Sequence, residues 1–425
     1  MGNSEQEQQH PGNRSDLPIL NMTLPIVATG SKFPGTSSAD NLAPDGGFRA
    51  WAAVASGFFI IMNTWGIFIS FGVFESYYVT KLQRDPSEIA WIGSFEIFLL
   101  FFLGILSGYF TDMGYFRTLV TTGAFMTAFG TFMASICQAY WQLFLAQGVC
   151  VGLGNGLLFA PAMSVVSTYF QRKRALAMGT AACGSVVGGL IFPSIARTLL
   201  PSIGFGWTMR AIGLIQLVTL FTALAFIRPR IPPRSSGSLI DWQAFKEVEY
   251  SLFAVGSFLT YTGAFVPFFF LASYARDIQG MTYIQSLDLL LILNGVGLLG
   301  RLLPSFLAES LGMLNVFTAM VLLSSLSMFT WTTVSSVAGL YVWTVFYSLF
   351  FGASKEFGWE WCSGFLVFGA LIGTPVAGLL ITTSGRSYIG AQAFAGACLA
   401  AGGVLFLTAR EIKRRKTVSE MWVKL

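Results

Sequence analysis

Apolar runs of about 20 residues recur along this chain from Trp51 to Ala409, separated by short polar breaks. No other feature restricts the possible folds as much. A bilayer core of ~30 Å is crossed by about 20 helical residues. Inside it every backbone N–H and C=O must be satisfied within the protein, which leaves only helices and closed barrels. A barrel alternates polar and apolar residues in segments of about ten, and no such alternation is present. Charged residues make up 11% of the chain, against about 25% in soluble domains. An all-α membrane protein is expected.

The runs place spans at about 50–78, 89–111, 117–136, 141–170, 175–198 and 208–227, then 250–274, 285–308, 314–335, 339–354, 362–383 and 389–409. Twelve transmembrane helices follow, as two pseudo-symmetric six-helix bundles. The domain reading is a disordered cytoplasmic tail over 1–47, a first half over 48–227, and a cytoplasmic linker over 228–249. A second half over 250–409 and a cytoplasmic tail over 410–425 complete it. The first tail is rich in Gln, Asn, Ser, Pro and Gly, and no secretory signal is expected ahead of it.

Cations orient the chain. With both ends inside, 18 of the 25 Lys and Arg fall on the inner side, six on the outer, and Arg301 inside a span. Lys and Arg concentrate in cytoplasmic loops. The basic triad Arg172, Lys173 and Arg174 is thereby read as the cytoplasmic loop between spans four and five.

The halves look related. Adding 197 carries Gly66 to Gly263, Tyr77 to Tyr274 and Asp112 to Glu309; further on, adding 185 carries Gly179 to Gly364, Gly184 to Gly369 and Gly188 to Gly373. A repeated six-helix half is a transporter signature, with the substrate near the midplane between halves. The shrinking offset predicts an unusually short helix ten, from Gly339 to Ser354. At 1.5 Å per residue it reaches about 24 Å, which would draw Lys355, Glu356 and Glu360 toward lipid. A missing segment or impaired transport is the corresponding expectation.

Other functions lose support. The five cysteines lie in apolar runs without metal-ligand spacing, and His10 is the single histidine. No catalytic cluster or nucleotide loop is visible, so no enzyme, cofactor or metal is expected. The dispersed cations do not suggest nucleic acid.

Four motifs carry a resemblance. "PDGGFRAWAAV" (Pro44 to Val54), "GYFTDMGYFR" (Gly108 to Arg117), "YFQRKRALAMGTAACGS" (Tyr169 to Ser185) and "NGVGLLGRLLP" (Asn294 to Pro304) resemble the major facilitator superfamily, and within it the fungal branch of the monocarboxylate porter family. The resemblance runs from about Pro44 to Ala409. It implies gating or structural roles for Asp45, for Asp112 and Arg117 as a latch across a tight turn, and for Arg172 and Arg174. Gly179, Gly184 and Gly188 share about one helix face, where small residues permit close packing. The aromatic residues are expected to face lipid or the interface rather than to form a ligand box.

Ionisable residues inside a span are functional candidates. The resemblance implies that Arg301 holds a substrate carboxylate, with Asn294 beside it. Glu96 is the candidate for proton coupling, or else a partner for Arg301 or Arg210. Glu75 and Arg210, near span ends, are expected at the interface. Departures from the family are Ile69 in place of a lysine, Gly297 in place of an acid, and Ser185 in place of a proline. The first two favour a larger or less charged substrate over lactate-type symport; "GSVVGG" (Gly184 to Gly189) partly resembles the helix-five glycine motif of antiporters, apart from Ser185, and hints at export. The expected function is a secondary active transporter of a small organic anion or hydrophobic metabolite, with export of a fungal secondary metabolite as one form of it. A non-transporting sensor of the same fold, or an impaired product, is the alternative. Its partners are the substrate and the bilayer, and the plasma membrane is its expected location, with the vacuolar membrane as the alternative.

Overall fold

The computed structural model describes residues 45–171, 173–231, 246–311, 313–358 and 363–417. The side chains at 76, 175, 301–313, 353–358, 363–366, 416 and 417 lie outside that description. Thus Arg172, Glu360, residues 1–44 and most of the linker lie outside the described residues.

Among the described residues fourteen helices follow one another: α1 (Phe48–Ile69), α2 (Phe71–Leu82), α3 (Pro86–Asp112), α4 (Phe116–Ala134), α5 (Tyr140–Leu143), α6 (Gly152–Thr168), α7 (Arg174–Phe226), α8 (Val248–Ala264), α9 (Val266–Asp277), α10 (Tyr283–Leu311), α11 (Met313–Trp331), α12 (Val337–Gly358), α13 (Ser363–Thr383) and α14 (Ile389–Thr417). A π-helical stretch, Phe144–Val151, joins α5 to α6. No strand occurs among the described residues. Among the described residues, eight stretches are long and apolar enough to cross a membrane, and Val337–Gly352 and Val367–Thr383 are shorter apolar helices. α4, diluted by its threonines and Arg117, belongs to neither group.

Helix limits follow from local chemistry. α1 is preceded by Gly47 at φ 88°, a left-handed conformation that costs glycine little. α3 opens on Pro86, whose missing N–H has no helical partner to lose at a first position. α7 runs for 53 residues, about 80 Å at 1.5 Å per residue, too long for one crossing. Gly204, at φ 77° and ψ 173°, breaks it between the two spans expected at 175–198 and 208–227.

One helix boundary needs correction. Helix ten does not end at Ser354. Its apolar part is Val337–Gly352, but α12 has 22 residues and continues to Gly358, so Lys355 and Glu356 are helical. The apolar part alone reaches about 24 Å, short of a ~30 Å core, as the sequence predicts, and only the helical backbone extends further. The last helix, α14, continues through Thr417, where Arg414 and Arg415 bond Glu411 at 2.6 and 2.9 Å.

The repeat is visible in packing. A Cβ added at Gly184 would overlap the carbonyl oxygen of Phe58, and one at Gly188 that of Met62. In the second half, Gly369 and Gly373 lie in the same way against the carbonyl oxygens of Phe258 and Thr262. α7 thus meets α1 as α13 meets α8. Phe58 therefore corresponds to Phe258 and Met62 to Thr262, a slightly longer offset than the one read from the sequence. Gly66 and Gly263 are not equivalent: Gly66 packs on Gly188, and Gly263 on Ala395. Gly179 departs from the expected packing face, since a Cβ there would meet nothing within 4 Å.

Candidate transport pathway

The two halves of the chain meet along three seams. At the first, the backbone of Gly72 in α2 lies against the carbonyl oxygen of Phe268 in α9, and the Phe71 and Phe269 rings are 4.8 Å apart. At the second, Ser94 of α3 and Thr374 of α13 share a hydrogen bond, and Ser87 donates to Pro375 O at 3.0 Å. At the third, Arg197 of α7 and Asp288 of α10 form an ion pair at 2.5 Å, and a Cβ at Gly189 would press on Asn294. Sequence reasoning did not identify these partners, because residues so far apart along the chain leave no local pattern.

Aromatic side chains fill the space between the halves. Trp65 packs edge-on against Phe101 at 5.7 Å and Phe159 at 6.1 Å. Phe101 meets Tyr261 of the other half at 6.4 Å, and Phe68 meets Phe265 at 5.1 Å. Phe265 continues to Phe351 at 6.0 Å. All of these are buried. Phe125 and Phe221 are exposed, whereas this cluster is buried, against the expectation that the aromatics face lipid or the interface. A helix that is apolar all round gives no sign of which face meets a partner.

Asn294 is buried and donates Nδ2–H to Leu290 O at 2.9 Å. It borders a cavity of about 10 Å³ with Phe268, Gly297, Ser348 and Phe351, enough for roughly one water. Gly297 and Arg301 follow Asn294 at i+3 and i+7, the spacing of one helix stripe. Arg301 lies within α10, and its side chain lies outside the described residues.

Glu96 is fully buried within the first half. Its Oε1 accepts Nδ2–H of Asn155 at 3.1 Å, and Asn155 Oδ1 accepts the Thr127 hydroxyl at 3.2 Å. Oε2 has no hydrogen-bond partner among the described residues. Arg210 is not its partner: that guanidinium donates to Ser135 Oγ at 3.3 Å and lies over Trp207. Glu75 also corrects its expectation. It is fully buried rather than interfacial, and its Oε2 accepts the Ser273 hydroxyl at 2.8 Å across the first seam.

The signature loops come together at one end of the first half. Asp45 Oδ1 accepts the backbone N–H of Gln171 at 2.6 Å, and the Asp45 N–H donates to Tyr169 O at 3.2 Å. Asp112 and Arg117 are both exposed on either side of the turn at 113–115, and Arg174 is exposed at the first residue of α7. Among the described residues no cluster of His, Cys, Asp or Glu suits a metal.

These features define a class: a helical membrane protein whose two halves meet through buried, mostly aromatic contacts. The Major Facilitator Superfamily profile matches residues 54–358. An "MFS-type transporter" of Gibberella zeae is 43% identical over 386 residues, covering 86% of this chain and 88% of that one. The "Aspyridones efflux protein apdF" of Emericella nidulans is 33% identical over 389 residues, covering 87% and 79%. A crystal structure of a mutant peptide transporter POT shares the fold at TM-score 0.70 and 14% identity, covering 88% of this chain and 98% of that one. The chain belongs to the Major Facilitator Superfamily. It is a secondary transporter of small molecules, an integral membrane protein and not an enzyme.

Proposed function

We propose that this protein exports a hydrophobic, ring-bearing metabolite through the space between its halves. The observation that carries this reading is the buried aromatic cluster of Trp65, Phe101, Phe159, Tyr261 and Phe265. Rings in offset or edge-on contact gain about 0.5–1.5 kcal/mol beyond burial, which suits an aromatic or polycyclic guest. The efflux protein among the relatives, named for aspyridones, supports the direction. Ile69 and Gly297, where the monocarboxylate porter pattern has a lysine and an acid, fit a substrate with little charge. Trp65→Ala should raise KM for such a compound about tenfold, the equivalent of ~1.4 kcal/mol, with the protein still at the membrane. Unchanged KM in both Trp65→Ala and Tyr261→Ala would overturn the reading.

In this proposal twelve spans form two six-helix bundles with both ends cytoplasmic, in the plasma membrane. A C-terminal tag should be unreachable from outside intact cells and reachable after permeabilisation. Labelling of the tag on intact cells would reverse the topology. Arg301 and Asn294 bind the substrate's polar group, and Glu96 exchanges the driving proton. Asp112 with Arg117 works as a latch, and Asp45, Arg172 and Arg174 hold the loop that enters helix five.

A further inference from the structure

Three segments far apart in sequence converge at the end of the first half that carries Asp45. The start of α1 brings Arg49. The loop into α7 brings Lys173 and Arg174. The exit from α7 brings Arg228. Hydrogen bonds lock them together: Tyr169 OH donates to Arg228 O at 2.9 Å, Arg230 Nη1 donates to Thr168 O at 2.9 Å, and Asp45 receives the N–H groups of Gln171 and Lys173. The acid nearest this cluster is therefore engaged on backbone N–H groups.

Arg49, Lys173, Arg174 and Arg228 are all exposed, and none of their side chains forms an ion pair within 4 Å among the described residues. Phe48 is 80% exposed and Trp51 41%, with Trp51 edge-on to Phe170 at 5.5 Å. Exposed tryptophan beside cations marks the depth of lipid headgroups. Four cations on a hydrogen-bonded scaffold, beside an exposed tryptophan and without a side-chain ion pair among the described residues, suit an anionic partner with an apolar anchor.

We propose that this patch binds the headgroup of an anionic phospholipid and thereby fastens the first half to one leaflet. The layout proposed above decides only which leaflet supplies the lipid. A site in detergent solution is insensitive to that choice, so failure of one proposal leaves the other standing. Attraction to an anionic surface is additive over such cations and is screened within about 10 Å at 0.1 M salt.

The test is thermal unfolding of the full chain, followed by tryptophan fluorescence, during titration with short-chain phosphatidylserine or phosphatidylcholine. Phosphatidylserine should act at a concentration at least tenfold lower, and the gap should close in 1 M salt. The variant R49Q/K173Q/R174Q/R228Q should abolish the preference, and R49K/R174K/R228K should keep it. If the fourfold variant fails to fold, R174Q alone should reduce the preference at least twofold. Undiminished preference in these Gln variants would overturn the proposal. So would equal stabilisation by glycerophosphoserine, which has the headgroup chemistry but no acyl chains.

Discussion

Arg301→Ala should abolish transport, by a hundredfold or more, with normal amounts of protein in the membrane. A charge at this depth costs several kcal/mol in a helix and persists where it serves a substrate or ion path. Positions spaced as Asn294, Gly297 and Arg301 share one stripe of a helix, and Asn294 and Gly297 border the small cavity with Phe268 and Phe351. A charge-assisted hydrogen bond contributes about 1.5–3 kcal/mol. Losing two of them from a polar group in an otherwise apolar site accounts for a hundredfold loss. Arg301→Lys should fail almost as badly if the substrate is held by two parallel hydrogen bonds, because an ammonium is a point donor. Transport assayed beside surface expression decides it. Normal rates in Arg301→Ala would show that the residue is idle.

Gly188→Leu or Gly373→Leu should leave little folded protein. At each position the neighbour is backbone: the Met62 carbonyl and Gly66 Cα for one, the Thr262 carbonyl for the other. Ordinary overpacking costs about 1–3 kcal/mol because side chains can rearrange. Here two helices must move apart, so a loss beyond about 3 kcal/mol is expected. That is a large share of the roughly 5–15 kcal/mol that holds a typical domain together. Gly179→Leu is the control, since a Cβ there meets nothing within 4 Å. Monodispersity after solubilisation reads the outcome. Equal yields for all three would mean that the close approach of α7 to α1, and of α13 to α8, is not needed for folding.

Helices were legible in this sequence because each demands a run of apolar residues that nothing else explains. The runs located α3 and α10 to within a few residues, and the break in α7 falls at Gly204, between two expected spans. Partners were not legible. Glu75 reads as a residue near a helix end and is in fact buried against Ser273, because α2 crosses α9 there. Glu96 reads as an isolated intramembrane acid, and only folding brings Asn155 and Thr127 to it. Trp65 and Phe101 read like any other aromatics in an apolar run, since lipid and protein interior select the same side chains. The boundary of helix ten has a similar origin: hydropathy ends the apolar stretch at Ser354, while the backbone stays helical to Gly358. The repeat was legible at Gly184, Gly188, Gly369 and Gly373, where the packing requirement constrains residue type. It drifted at Gly66, where no equivalent contact exists in the second half.

Transport by inside-out membrane vesicles tests the central claim most directly. With the vesicle interior made acidic, vesicles carrying the protein should accumulate a labelled hydrophobic, ring-bearing metabolite above its external concentration. An uncoupler that collapses the proton gradient should release it. Glu96→Gln vesicles should exchange the label but not concentrate it. Accumulation no greater than in vesicles lacking the protein, or unaffected by collapse of the gradient, would contradict a proton-driven exporter.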